Sequence, residues 1–224
     1  MLDRHRHDGA FAALVLAGSY VEAGDTGRHR VRAGDVIIHQ AWESHIDRFH
    51  HLGADVLTLP LAEGCLVPVL GRVTDADTIV RLAERDRAGA AHLLMNQLVA
   101  VETSVEDWPD LLAGALLADP TLSIGCWAEA RRLHPSSIAR GFRQQFGITP
   151  AAFRFNARAH AALRDIRGSV EALVGIAAKH GFADQAHMTR ATRMITGLPP
   201  SRLRRGRPDP TRGASHGDGR HRAG

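Results

Sequence analysis

The strongest constraint on what this chain can fold into is that part of it is written twice. Residues 138–154 (IARGFRQQFGITPAAFR) laid over residues 188–204 (MTRATRMITGLPPSRLR) at an offset of 50 match Arg140 with Arg190 and Arg143 with Arg193. Gly147, Pro150 and Arg154 likewise meet Gly197, Pro200 and Arg204. Upstream an offset of 49 pairs Trp127-Ala128 with Ile176-Ala177, so one residue is gained in the turn between. Each copy reads as a short helix, a tight turn and a second helix, at 124–131 and 135–146, then at 170–179 and 185–195. Pro135 suits a first helical position, Asp184 is a good N-cap, and Gly147 and Gly197 fall where a helix should stop. The spacing is that of a helix-turn-helix.

The second helix of each copy decides what the unit can do. Over 135–146, Ile138 and Phe142 form an i, i+4 apolar row continued by Phe146, which leaves Ser136, Arg140 and Arg143 about 140° to 200° away. Over 185–195 the same construction buries Met188 and Ile195 and turns Ala186, Arg190 and Arg193 outward, with Gln185 and His187 near the start. An α-helix fits the DNA major groove, where Arg can pair with guanine O6 and N7 and Gln with adenine N6 and N7. A pair of arginines on a helix is usually just a solvated face; the duplication is what favours DNA. Between the copies, residues 150–166 read as one helix whose Phe153, Ala157 and Ala161, and Ala159, Leu163 and Ile166, can touch both units.

Charge supports this reading. The net charge of +4 conceals a segregation: residues 1–120 hold 10 Arg against 18 acids, a net of −8, and residues 121–207 hold 15 basic side chains against 4 acids, a net of +11. Lys179 is the only lysine, so compositional bias explains the choice of Arg. It does not explain why acids avoid one third of the chain. A basic segment of this kind is the electrostatic footprint of a polyanion binder.

The first 60 residues read differently, as short strands at 11–16, 19–22, 28–31, 36–39, 45–49 and 56–59. Gly18, Ala23-Gly24-Asp25, Gly34-Asp35 and Gly53 fall between them as turns, which suggests a small antiparallel barrel or sandwich. From Asp75 the period becomes helical, through Ile79, Leu82 and Ala83, then Leu93, Leu94, Leu98 and Val101. Asp107-Trp108-Pro109 leads into a further helix with Leu111, Leu112, Leu116 and Leu117. The fold class is therefore α+β, with a β-rich part at 1–61, a helical connection and candidate dimerisation region at 62–106, an all-α double helix-turn-helix part at 107–205, and a Gly-, Pro- and Arg-rich tail at 206–224 expected to be disordered. Cys65 and Cys126 are too few for a disulfide framework or a four-ligand zinc site. No apolar run suits a signal peptide or membrane span, so a cytoplasmic protein is expected.

Residues 181–192 (GFADQAHMTRAT) with TGLPPSRLR, preceded by WAEARRLHPSSIARGFRQQFGITPAAFR, resemble the DNA-binding domain of AraC/XylS-type transcriptional regulators from near Trp108 to Arg205. The resemblance implies two reading heads in adjacent major grooves of double-stranded DNA, with RNA polymerase as a further partner. It implies base contacts from Ser136, Ala139 and Arg140, and from Gln185, Ala186, His187 and Arg190, with Arg143 and Arg193 on phosphates. The sequence departs from the family at Arg131, usually apolar, at Arg132, usually the turn Gly, at His134, usually a Ser cap, and at Gly141, usually apolar. Gly141 inside a helix should cost about 1 kcal/mol relative to Ala. Thr192 replaces a core Phe, which predicts a smaller core. These departures fall mostly on the first unit.

The N-terminal part resembles, more distantly, the cupin sensor domain that precedes such DNA-binding domains, which implies an effector pocket at His5, His7, Trp42 and His45, or a dimerisation role. The chain starts at the HxH, which suggests a truncated barrel or a misassigned start, with His5 and His7 at a frayed end. A cupin metal site pairs the HxH with a carboxylate a few residues on and a later His. Here Phe11, Ala12 and Ala13 occupy that region and Glu22 lies beyond the next turn, so neither a metal nor another cofactor is expected. The competing reading is a cupin-type metal-dependent enzyme using His5, His7 and His45. No nucleophile elbow, Walker loop or dinucleotide fingerprint is present, so the non-enzymatic reading is preferred.

Overall fold

A computed structural model describes residues 2–62, 68–102, 107–205 and 220–223. The chain divides into two compact units, Met1–Val105 with Ser215–Gly224, and Glu106–Ala214. The first is built on an antiparallel sheet and the second on helices, as the α+β reading expects.

The sheet contains β1 (Leu2–Arg6), β2 (Phe11–Gly24), β3 (Gly27–Arg32), β4 (Asp35–His39), β5 (Ser44–Pro60), β6 (Leu70–Arg72), β7 (Val99–Ala100) and β8 (Arg220–Ala223). Its backbone is the long pair β2 and β5, which stay paired from Phe11↔Pro60 to Gly24↔His45. The expected breaks at Gly18 and Gly53 are not turns. Both glycines have positive φ, 74° and 72°, and the register shifts between Val15 and Ala17 and again between Gly18 and Tyr20. They are bulge positions that bend two continuous strands. A Cβ on Gly18 would fall 2.2 Å from the Gly53 carbonyl oxygen, so only glycine admits this approach.

The bend folds the sheet back on itself. His39 stacks on Phe11 with ring centroids 4.4 Å apart, and the same imidazole lies 3.4 Å from Glu22. Eleven residues of straight strand would separate Phe11 from Glu22 by about 36 Å, so the two ends of β2 meet one side chain only because the strand curls. The curl also explains the unbroken apolar runs. Ala12 and Leu14 face one core with Val36, Ile38, Leu57 and Leu59, while Ala13 and Val15 face another with Tyr20, Val31 and Ile37.

Helices α1 (Ala76–Ala83) and α2 (Arg87–Gln97) close the first of these cores with Ile79, Ala90, Ala91 and Leu94. The expected helical connection at 62–106 is corrected: α1 and α2 pack on the sheet, but Leu70–Arg72 and Val99–Ala100 are strands of it, and residues 63–67 and 103–106 lie outside the described residues. Leu98 and Val101 lie outside α2: Leu98 is its extended C-cap, and Val101 follows β7. Two further expectations are corrected. The N-terminal HxH is not frayed, because β1 pairs with β5 at His5↔His45 and Arg4 forms an ion pair with Asp25. Of the expected disordered tail, Arg220–Ala223 runs as a strand beside β5 at Ala54–Leu57, and residues 206–219 lie outside the described residues.

The helical unit comprises α3 (Trp108–Ala118), α4 (Ile124–Ala130), α5 (Pro135–Phe146), α6 (Pro150–Gly168), α7 (Leu173–Lys179), α8 (Gln185–Thr196) and α9 (Pro200–Arg205). The repeat is visible in the backbone: α4 and α7 are each 7 residues long, and α5 and α8 each 12. Gly147 and Gly197 end α5 and α8 in the same left-handed conformation, φ 72° in both, and their N–H groups donate to Arg143 O and Arg193 O. Ser123, Thr149 and Asp184 cap α4, α6 and α8 through their side chains. The long α6 buries Phe153, Ala159, Ala162, Leu163 and Ile166 and contacts α3, α5, α7, α8 and α9, so one rod supports both copies.

Candidate nucleic-acid interface

In the first copy α5 buries Ile138, Phe142 and Phe146 and leaves Ser136, Ala139, Arg140 and Arg143 exposed, as the helical period requires. Ser136 is not a free reader. Its amide donates to His134 Nδ1 at 3.3 Å and its Oγ lies 2.8 Å from the same nitrogen, so the pair forms the N-cap of α5. In the second copy α8 buries Met188, Ala191, Thr192 and Ile195 and exposes Gln185, Ala186, Arg190 and Arg193. His187 is half-buried, with its ring 5.3 Å from Phe182 and 6.3 Å from Phe155. It therefore supports the start of α8 as much as it faces outward.

The departures in the first copy each have a local solution. Arg131 lies over the Trp127 ring at 4.1 Å, a cation–π contact in place of apolar packing. Arg132 occupies the left-handed region at φ 55°, where its counterpart Gly181 has φ 69°. Arg132→Gly should therefore stabilise the unit by up to about 1 kcal/mol, since relief of strain exceeds the added chain entropy; a urea titration would show a higher midpoint. Gly141 faces Trp108 of α3, and a Cβ there would lie 2.6 Å from Cζ2 of the indole. The glycine admits a neighbouring ring. Gly141→Ala should then destabilise by about 1 to 3 kcal/mol through overpacking, where helix propensity alone would give a gain of about 1 kcal/mol. Thermal unfolding distinguishes the two signs. In the second copy Thr192, the counterpart of Phe142, is fully buried and its hydroxyl donates to Thr189 O at 3.1 Å.

Sequence matching paired Arg154 with Arg204 but assigned them no role. Arg154 Nη1 donates to Leu122 O at 3.2 Å, just before α4, and Arg204 Nη2 donates to Glu171 O at 2.6 Å, just before α7. Both arginines brace the entry to the first helix of their own copy. Their carbonyl partners are 49 residues apart, the offset of that part of the repeat, which is the signal that could have identified them.

In the sheet unit, the four residues of the expected effector pocket are close together. His5, His7 and His45 have ring centroids 4.3 to 5.4 Å apart, and Trp42, at φ 66°, donates its backbone N–H to His7 O at 2.8 Å. The curl adds three residues that sequence reasoning missed: Glu22, His39 and Asp47. The carboxylate held to be absent is therefore supplied by Glu22, which is 2% exposed. Burial alone would raise the Glu22 carboxyl, but the facing His39, helped by His45 and His29, holds it below its ordinary value. Burial would lower His39, yet Glu22, with Glu43 and Asp47, raises it, so the two form an ion pair. Burial drops His45 to about 3 against the pull of Glu22, with His39, His5 and His7 adding to the drop. Burial and Glu22 push Asp47 up to about 7. A separate cavity of about 220 Å³ is lined by Arg28, Arg30, Arg32, Arg72 and Asp35 among others, and by none of the four expected residues.

A family of helix-turn-helix domains matches residues 127–206, which begin at Trp127 in α4 and run just past α9. No curated protein matches the chain. Among solved structures, the C-terminal domain of AraT, a response regulator from Geobacillus stearothermophilus, is similar at 20% identity and a TM-score of 0.40, over 50% of this chain and 92% of that one. The C-terminal domain of the response regulator yesN from Fusobacterium nucleatum gives 18% identity and 0.38, over 42% and 94%. Apo ToxT from Vibrio cholerae gives 10% identity and 0.45, over 92% of each chain. Among the described residues no helix is long and apolar enough to cross a membrane.

Proposed function

We propose, from the match of residues 127–206 to a family of helix-turn-helix domains, that this part is a DNA-binding domain of the AraC/XylS type and that the chain is a sequence-specific transcriptional regulator that places α5 and α8 in successive major grooves. The observation that carries this is the pair of equivalent exposed faces, Arg140 with Arg143 and Arg190 with Arg193, on helices braced by one rod. Arg140, Arg190, Gln185 and Ala139 meet base edges, Arg143 and Arg193 hold phosphates, Ala186 admits close approach, and Ser136 and His187 fix the helix starts. The cupin-like sheet unit binds an effector or a second copy of the chain, and RNA polymerase is the downstream partner in the cytoplasm. No catalytic step belongs to this reading.

Residues 104–207 should suffice for DNA binding, because both copies, α6 and the α3 support lie within them. Fluorescence titration of labelled duplex with this piece and with the full chain should show affinity falling steeply with salt. Arg193→Ala should weaken all sequences alike and lower the salt slope by about 1. A folded piece that binds no duplex, beside a full chain that binds none either, would refute the proposal.

A further inference from the structure

We infer that Glu22, His39 and His45 bind one divalent transition-metal ion, and that this ion is the effector of the regulator proposed above, a role that rests on that reading. The three residues come from β2, β4 and β5, and their ligand atoms all lie within 4.8 Å of one another. Donors about 2.0 to 2.2 Å from a tetrahedral ion sit about 3.4 Å apart, and Glu22 Oε2 is 3.4 Å from His39 Nε2. Small side-chain movements bring His45 to the same spacing.

Burial makes the cluster costly unless something repays it. Glu22, His39 and His45 are 2%, 5% and 5% exposed. His45 Nδ1 and Asp47 Oδ1 are buried without a hydrogen-bond partner, and such orphaned atoms cost free energy. A cation held by His45 Nδ1 satisfies the first of these two atoms, which no described residue does. Asp47 Oδ2 lies 3.7 Å from His45 Nε2, the place of an outer carboxylate that fixes the orientation of a ligating ring. Two imidazoles and one carboxylate suit zinc, nickel, cobalt or iron, whereas calcium and magnesium prefer all-oxygen sets.

His5 and His7 with His45 form a second triad that shares one member with the first. It has no carboxylate, His7 is exposed, and His5 Nδ1 is 2.8 Å from Asp3 O. The ion belongs on the inner set, where Glu22 offsets half its charge and β2, β4 and β5 each supply one ligand. His5, on β1, and His7, just past its end, form the mouth of the site.

The test uses the full chain, freed of metal with a chelator and titrated with Zn²⁺ against a chromophoric competitor, with Co²⁺ absorption as a second readout. One ion should bind per chain and raise the thermal unfolding midpoint. Glu22→Gln and His39→Gln should each weaken Zn²⁺ at least as much as the about 10- to 100-fold loss that follows removal of an outer partner. His5→Ala combined with His7→Ala should retain most of the affinity. Should Glu22→Gln not fold, His39→Gln and the Co²⁺ band of the unmodified chain still decide. Absence of stoichiometric binding, or loss in the His5/His7 variant alone, overturns the site. Zn²⁺ should also change affinity for duplex DNA by about 5- to 150-fold. Tight Zn²⁺ binding with metal-independent DNA binding overturns the effector role, and Zn²⁺ binding by a chain that never binds DNA overturns the regulator reading and leaves the site standing.

Discussion

Phe142→Ala should destabilise the helical unit by about 3 to 5 kcal/mol. Phe142 is fully buried, stacks on Phe146 with centroids 4.4 Å apart, and meets Phe153 of α6 edge-on at 5.4 Å. The ring thus joins the first copy to the rod that carries both. Its counterpart supplies a control. Thr192→Ala removes two small groups and one hydrogen bond, to Thr189 O, and should cost about 1 to 2 kcal/mol. Urea unfolding of the two variants gives the comparison, and equal losses would show that the aromatic cluster does not hold the first copy to α6.

Arg190→Ala should weaken binding to a specific site by about 1 to 3 kcal/mol, or about 5- to 150-fold, because a two-pronged contact to guanine would be lost. Random-sequence duplex should be affected far less. Arg190 is exposed on α8 one turn beyond the exposed Ala186. Arg140→Ala should act in the same direction but less strongly, since the first copy starts from a strained turn at Arg132 and has Gly141 directly beside Arg140. Competition binding with specific and random duplex measures both. If both variants kept their affinity and preference, α5 and α8 would not be the reading helices.

The helical unit was legible because its information is local. Periodicity placed the buried rows, Pro135, Asp184, Gly147 and Gly197 marked the ends, and the offset of 50 tied the copies together. What escaped depends on contacts distant in sequence. Gly141 reads as a defect on α5 alone and becomes a fitted position only when Trp108 is set against it. Gly18 and Gly53 announce positive φ, but a turn and a bulge demand the same conformation, so sequence could not tell a pair of short strands from one bent strand. That ambiguity hid the histidine cluster. Read as lying past a turn, Glu22 seemed remote from His45; along a curled β2 it faces His39 and lies close to His45. Of the expected reading residues, Ser136 and His187 were placed on the right helices, but their capping and ring contacts belong to geometry that spacing does not encode.

The central claim, that two equivalent helices read DNA together, is tested most directly by selecting bound duplexes from a random pool with the full chain. The expected result is an enriched site with two specified patches centred about 10 base pairs apart. Arg190→Ala should relax preference in one patch and Arg140→Ala in the other. Enrichment of no sequence by a folded chain, or of a single patch indifferent to both substitutions, would contradict it.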